Sequence, residues 1–149
     1  MKNIFPLLLA ATFFSTPVWH HDLSEARQLA VSEHRHILLN FSGSDWCGPC
    51  MRMRKEVFES EVFMNFADSE LVMVNADFPR MKKNRLPARQ QALNDAMAEQ
   101  YDAKGKFPFT VLLDARGKVL REWDGYSGLA PAVFRQEVQQ AIEEDKQNP

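Results

Sequence analysis

The chain has 149 residues, a formal net charge of −2, and a composition that is 45% hydrophobic and 26% charged. This length fits a single domain, and the composition excludes an intrinsically disordered chain, a collagen-like fibre and a coiled coil. The small net charge gives no reason to expect a nucleic-acid partner. Two cysteines are too few for a disulfide-stapled scaffold.

Residues 1–17 are predicted to form a signal peptide, and residues 18–149 the folded domain. Lys2 supplies a positive charge, and the stretch Ile4–Phe14 is almost wholly apolar. That stretch is too short to span a bilayer, which needs ~20 residues. The cleavage site is weak because Ser15–Val18 lacks a small-x-small pattern, so an uncleaved membrane anchor and a core helix stay open as alternatives. Export predicts an oxidising compartment such as a periplasm.

Helices and strands are expected to alternate along the domain. A helix begins after a capping box at Asp22 and runs to about Glu33, because the Asp22 side chain can accept a hydrogen bond from the amide of Glu25. The further predicted elements are a buried strand at Ile37–Phe41, a helix from Cys47 or Gly48 to about Glu59, a short helix from Ser60 to Phe66, a strand at Leu71–Asn75, a helix from Pro87 to Tyr101, strands at Phe109–Leu113 and Lys118–Trp123, and a helix from Pro131 to about Glu144.

This order of elements favours a three-layer α/β domain with a central mixed β-sheet flanked by helices. The short continuous apolar runs suit buried strands of a parallel sheet. The last two strands are expected to form an antiparallel hairpin around the turn Asp114–Gly117. Three aromatic residues, Phe58, Phe63 and Phe66, are expected in the core.

Cys47 and Cys50 enclose Gly48 and Pro49 at the predicted junction of a strand and a helix. Amides in the first turn of a helix lack a helical partner and carry partial positive charge, so they favour a thiolate at Cys47. The pKa of Cys47 should therefore fall below the ~8.5 of a free cysteine. Cys50 lies one turn further along the same side and should be less exposed, which suits a thiol that resolves a mixed disulfide.

Two other interpretations of the cysteine pair stay open. A structural disulfide that closes so short a loop would stabilise the fold by only ~2 kcal/mol. A metal site would need two further ligands, from His34 and His36 or from His20 and His21, but these histidines are expected at the surface. The sequence therefore favours redox chemistry and predicts no metal site.

The segment Phe78–Gln90 is predicted to be a loop with a concentrated positive charge. Its five basic residues, with no acidic residue among them, are Arg80, Lys82, Lys83, Arg85 and Arg89. The simplest interpretation is a solvated surface loop, and the alternative is a docking surface for an acidic partner.

The motif Trp46–Cys50, read as Trp-Cys-Gly-Pro-Cys after an apolar strand, resembles the active site of thioredoxins. Phe107–Pro108, directly before a strand, is similar to the cis-proline loop of that family. The segments Ser42–Cys47 and Asp77–Arg80 resemble an exported group of thioredoxin-like proteins. The resemblance extends from Val18 to Glu144 and implies a thioredoxin fold for nearly the whole mature chain.

The resemblance also implies roles for the residues of the motif. Cys47 would be the attacking thiol and Cys50 the resolving thiol, while Trp46 would shield the site. Gly48 and Pro49 would tune the redox couple, and Gly-Pro between the cysteines resembles reducing members of the family rather than strong oxidants.

Outside the motif, the resemblance implies that a cis Pro108 shapes a substrate groove with Phe107 beside it. The chain departs from thioredoxins in the strand before the motif, where Asn40 stands at the position of a buried acid that helps proton transfer from the resolving thiol. Asp45 is close in sequence but is expected to be solvated, and Glu56 is a weaker substitute.

These observations together predict a thiol–disulfide oxidoreductase, in the first place a reductase of disulfides in exported proteins. No bound cofactor is expected, because the two sulfurs carry the electrons, and a membrane thiol donor would restore the dithiol. The alternatives are a disulfide isomerase or oxidase on the same fold, and a non-catalytic, redox-switched protein-binding module. The protein is expected to be an exported, periplasmic monomer.

Overall fold

A computed structural model describes residues 18–102 and 104–148, so the predicted signal peptide in residues 1–17 lies outside the described residues. The strands are β1 (Trp19–His20), β2 (His36–Ser42), β3 (Leu71–Asp77), β4 (Phe109–Leu113) and β5 (Val119–Asp124), and the helices are α1 (Leu23–Glu33), α2 (Gly48–Met53), α3 (Glu61–Glu70), α4 (Ala88–Tyr101) and α5 (Pro131–Gln147). None of these helices is both long and apolar enough to cross a membrane.

The strands form one mixed sheet in the order β1-β3-β2-β4-β5. β1 and β2 each pair parallel with β3, while β4 pairs antiparallel with β2 and β5 pairs antiparallel with β4. The predicted mixed sheet and its C-terminal hairpin are therefore confirmed. The leading edge strand β1 contributes only two residues to the ladder.

Apolar clusters cover both faces of the sheet, which gives the three layers that the sequence predicts. One cluster joins Leu38 of β2 to Met53, Phe63 and Phe134 from the helical segments on that face. The other face carries Ile37, Leu39 and Phe41 of β2 together with residues of α1 and α4. β2 is buried along its whole length, as expected of a central strand, although His36, Asn40 and Ser42 are polar.

Local signals set most helix boundaries. The Asp22 side chain accepts hydrogen bonds from the N–H groups of Ser24 and Glu25, as expected for a cap. Ser60 caps α3, which continues to Glu70 rather than ending near Phe66. The helix that follows the cysteines changes after α2 into a π-helical turn, Arg54–Phe58, which the sequence pattern did not reveal.

The topology brings two loops to one end of the sheet. The loop after β2 leads into α2, and β4 begins beside the same end because Phe109 pairs with Phe41. The Phe107–Pro108 loop, which directly precedes β4, is therefore at the same end of the strands as the two cysteines.

The expected surface position of His36 is wrong. His36 lies in β2 and is 9% exposed. Its Nε2 atom is 3.0 Å from Oδ2 of Asp145 in α5, which packs over it. Among the described residues, no three His, Cys, Asp or Glu side chains are grouped as ligands of a metal ion.

Candidate active site

Cys47 and Cys50 form a disulfide with an S–S distance of 2.05 Å. Cys47 is the N-cap of α2, and Pro49 occupies the first turn, where its missing N–H costs no helical hydrogen bond. The N–H of Cys50 points at Sγ of Cys47 over 3.3 Å. This is the contact between a first-turn amide and sulfur that the strand–helix junction predicts, and it favours negative charge on Cys47.

The expected difference in exposure between the cysteines is absent. Cys47 is 4% exposed and Cys50 is 5% exposed, so the prediction that Cys50 is the more buried one is wrong for this form. Both cysteines are buried at the start of α2, where Cys47 is the N-cap and Cys50 is in the first turn. Gly48 and Pro49, between them, are exposed.

Trp46 is held beside the disulfide by contacts on several sides. Its Nε1–H donates to the carbonyl of Phe78 over 2.7 Å. The Phe107 ring packs edge-on against the indole with ring centroids 5.2 Å apart, and the Arg80 guanidinium lies 3.6 Å from the indole centroid. The indole therefore connects three segments: the cysteine loop, the loop after β3 and the Phe107–Pro108 loop.

Gly43 is required for the position of that indole, and sequence analysis did not single it out. A Cβ atom built on Gly43 would lie 2.3 Å from Cε2 and 2.4 Å from Nε1 of Trp46. Real Cβ contacts are not that short, so any other residue here must displace the ring. The sequence does contain a signal for this close approach, namely a glycine three residues before the tryptophan.

Hydrogen bonds join the loop before Cys47 to the loop after β3. The Asp77 carboxylate accepts from the N–H of Ser44 over 2.8 Å and from its hydroxyl over 2.5 Å. The Asp45 carboxylate accepts from the N–H groups of Arg80 and Met81 over 2.9 and 3.0 Å. The two segments that carried the resemblance to exported proteins are thus in direct contact.

Asp45 lies at the partly exposed surface, as expected, and its carboxylate also caps the neighbouring loop. The N–H of Arg80 and then the amide side chain of Asn84 hold the pKa of Asp45 below its usual range. The Asn84 Nδ2 atom is 2.9 Å from Oδ2 of Asp45. Ionised Asp45 therefore fixes the start of the basic loop next to the cysteine motif.

The Phe107–Pro108 peptide bond is cis, as the family resemblance implies. The carbonyl of Pro108 accepts from the N–H of Gly125 over 2.9 Å, and Lys106 forms a 2.7 Å ion pair with Asp124. On the other side, the N–H of Lys106 donates to Oδ1 of Asp102 over 3.0 Å. The proline loop is thus held between the end of β5 and the end of α4.

Replacing Asp102 with asparagine is expected to stabilise the protein near neutral pH. Burial raises the pKa of Asp102, whose Oδ2 atom has no hydrogen-bond partner in the described structure. The folded state therefore binds this proton more tightly than the unfolded state, and stability falls as pH rises above the usual aspartate pKa of 3.8. Asp102→Asn removes the charge but keeps the acceptor for Lys106. Its thermal midpoint should exceed that of the parent at about pH 7 and converge with it towards about pH 4.

Asp114→Asn is a matched control, for which the thermal midpoint should shift in the opposite direction. Burial opposes ionisation of Asp114, but the N–H groups of Lys118 and Arg116 outweigh it and hold the pKa of Asp114 below its usual range. Asp114→Asn should therefore lower the thermal midpoint at about pH 7, and the loss should disappear in acid. Equal shifts of the same sign in both variants would contradict the assignment for Asp102.

A cavity of about 380 Å³, lined by both polar and apolar side chains, lies behind Cys50. Asn40, at the position of the family's buried acid, is 6% exposed and borders this cavity. Its Nδ2 donates to Oδ1 of Asn75 over 3.1 Å, and its Oδ1 accepts from the Thr110 hydroxyl over 3.1 Å. These three residues are neighbours in the sheet register, so Asn40 completes a polar row across β3, β2 and β4.

Neither acid that the sequence offers in place of Asn40 borders this cavity. Asp45 caps the basic loop, and Glu56 accepts from the Tyr126 hydroxyl over 2.6 Å on the exposed surface. Among the described residues lining the cavity, Asp77 is the sole carboxylate. It also accepts from the Ser42 hydroxyl over 3.4 Å.

Comparison with known proteins agrees with this geometry. A family profile described as thioredoxin-like matches residues 18–115. The chain belongs to the thioredoxin-like family. This thioredoxin-like chain is 36% identical over 119 residues to the disulfide bond reductase DsbH of Chlamydia pneumoniae, which covers 80% of this chain and 69% of the relative.

Solved structures confirm the thioredoxin fold. A structure described as DsbH oxidoreductase superposes with a TM-score of 0.78 at 32% identity, covering 96% of this chain and 94% of the other. A thioredoxin from Thermus thermophilus superposes with a TM-score of 0.60 at 19% identity, covering 86% and 88% of the two chains. The thioredoxin-like chain is therefore a thiol–disulfide oxidoreductase of the DsbH type, with one Cys47–Cys50 disulfide.

Proposed function

We propose that this oxidoreductase reduces disulfides in exported proteins. The observation that carries the proposal is the Cys47–Cys50 pair at the N-terminus of α2, with an amide directed at Cys47. The relative named disulfide bond reductase and the Gly-Pro pair between the cysteines support the direction. The cis Pro108 loop at the same end of the strands supplies a place for the substrate chain.

In the reducing direction, Cys47 is the nucleophile. The thiolate of Cys47 attacks one sulfur of the substrate disulfide, the substrate S–S bond breaks, and the other substrate sulfur leaves as a thiolate. A Cys47–substrate disulfide forms in its place. The N–H of Cys50 stabilises the negative charge on Cys47 before attack.

Cys50 completes the reduction. Its thiolate attacks Sγ of Cys47, the bond between Cys47 and the substrate breaks, and the second substrate sulfur leaves as a thiolate. The substrate has then gained two electrons and two protons, and Cys47–Cys50 has returned to the disulfide that the structure contains. The cavity behind Cys50 is lined in part by the polar side chains of Asn40 and Asp77.

The two sulfurs need no bound cofactor for this cycle, but they need a dithiol that reduces them again. In an oxidising compartment we expect a membrane protein with a reduced thiol pair to act as that donor. Exported proteins with disulfides are the proposed substrates, and the apolar segment Ile4–Phe14 is the proposed export signal.

The reduction potential of the Cys47–Cys50 couple tests the direction. We expect a value near the thioredoxin end of the family, about −270 to −230 mV, when the domain is equilibrated with glutathione and its thiols are alkylated. A value of about −180 to −120 mV would instead indicate an isomerase or an oxidase. Reduction of insulin by the same preparation, with dithiothreitol as donor, measures the activity directly.

A further inference from the structure

The exposed stretch Arg80–Arg85, called the basic segment below, has no role in the mechanism above. We infer that it binds acidic residues of the substrate next to the disulfide that is reduced. The inference rests on the proposed function, because it assigns a substrate class to the same site.

The basic segment is fixed to the catalytic loop. Asp45, two residues before Cys47, accepts hydrogen bonds from the N–H groups of Arg80 and Met81 and from the Asn84 side chain. The Arg80 guanidinium lies 3.6 Å from the centroid of the Trp46 ring, in cation–π contact beside the disulfide. A substrate disulfide that reaches Cys47 must therefore come close to this segment.

The charge of the segment is available to a partner. Four basic side chains, those of Arg80, Lys82, Lys83 and Arg85, are exposed, and none forms an ion pair with a described residue. The Asp45 carboxylate, which contacts the segment, is bound to the N–H groups of Arg80 and Met81 and to the Asn84 side chain. The chain as a whole carries a net charge of −2, so this cluster is a local excess of positive charge beside the cysteines.

A protein segment fits this surface better than a membrane or a nucleic acid. Met81, 50% exposed, is the one large exposed apolar side chain that the segment offers, and interfacial binding to lipid needs a broad apolar face. The aromatic ring beside the segment, Trp46, is covered by Arg80 and is not free to stack on bases. An extended acidic peptide needs only several exposed cations along its path, which the segment provides.

Three peptides with the same intramolecular disulfide provide the test. The residues flanking the disulfide are glutamate, glutamine or lysine, and kcat/KM for reduction of each is measured with the full oxidoreductase at about 0.02 M and about 0.5 M salt. At low salt, the glutamate peptide should be reduced about five-fold faster than the glutamine peptide, and the lysine peptide slowest. At high salt these differences should fall below about two-fold.

Charge-reversal variants test whether the basic segment causes this preference between peptides. Lys82→Glu combined with Lys83→Glu should invert the order of the glutamate and lysine peptides. The control combines Lys118→Glu with Lys146→Glu, two exposed lysines at the opposite end of the sheet, and changes the net charge by the same amount. The control should keep the preference for the glutamate peptide.

Each outcome of this experiment decides the inference. Equal rates for the three peptides would overturn it and leave the proposed function intact, as would a preference that the control pair removes equally well. Binding of the segment to phosphatidylglycerol vesicles, with equal peptide rates, would assign the charge to membranes and overturn it too. If none of the peptides were reduced, both the inference and the proposed function would fail.

Discussion

Cys47→Ser should abolish insulin reduction, whereas Cys50→Ser should stop the reaction after its first step. Without Cys47 no mixed disulfide forms, because the serine hydroxyl is not ionised at neutral pH and is a poor nucleophile towards sulfur. Without Cys50 the Cys47–substrate disulfide is made but has no internal thiol to resolve it. Mass spectrometry of the reaction should therefore find a covalent complex with Cys50→Ser and none with Cys47→Ser.

Circular dichroism of the two variants is the control for this comparison. Both lose the same disulfide, which closes so short a loop that it contributes only ~2 kcal/mol to stability, so both should fold alike. Full insulin reduction by Cys47→Ser would show that Cys47 is not the nucleophile. A covalent complex formed by Cys47→Ser rather than by Cys50→Ser would exchange the roles of the two cysteines.

The fold could be predicted because its elements are marked by short-range signals. The run Ile37–Phe41 of β2 is apolar except at Asn40, and Asp22 and Ser60 carry the side-chain caps that begin α1 and α3. The π-helical turn Arg54–Phe58 has no such signal, and its Val57 and Phe58 pack in the cluster with Phe134, a contact between residues far apart in the chain.

The site was predictable where one short motif defines it and less so where distant loops meet. The junction of β2 and α2 places Cys47 at an N-cap, so its contact with the Cys50 amide follows from local geometry. The hydrogen bonds of Asp45 join residues 35 and more positions apart, and nothing in the sequence near Asp45 indicates them. The pairing of His36 with Asp145 is longer still in range, at 109 positions.

Gly43 is the residue for which the structure changes expectation most. Gly43→Ala should lower stability by ~1–3 kcal/mol, the usual cost of an overpacked site, because the new Cβ would overlap the Trp46 ring. The ring must then swing away from the Phe78 carbonyl and from Arg80, so insulin reduction should fall as well. Urea unfolding measures the loss of stability, and the NMR signal of the Trp46 indole N–H reports the displacement of the ring.

Gly48→Ala makes the same chemical change where there is room. A Cβ on Gly48 would meet no atom within 4 Å, and the residue lies in the first turn of α2. Alanine there should leave stability unchanged or raise it by ~0.4–1 kcal/mol, because it restricts the unfolded chain. The Trp46 indole signal should stay in place. If Gly43→Ala were as stable as Gly48→Ala with an unmoved indole signal, the close approach of Gly43 to Trp46 would not be what holds the ring beside the disulfide.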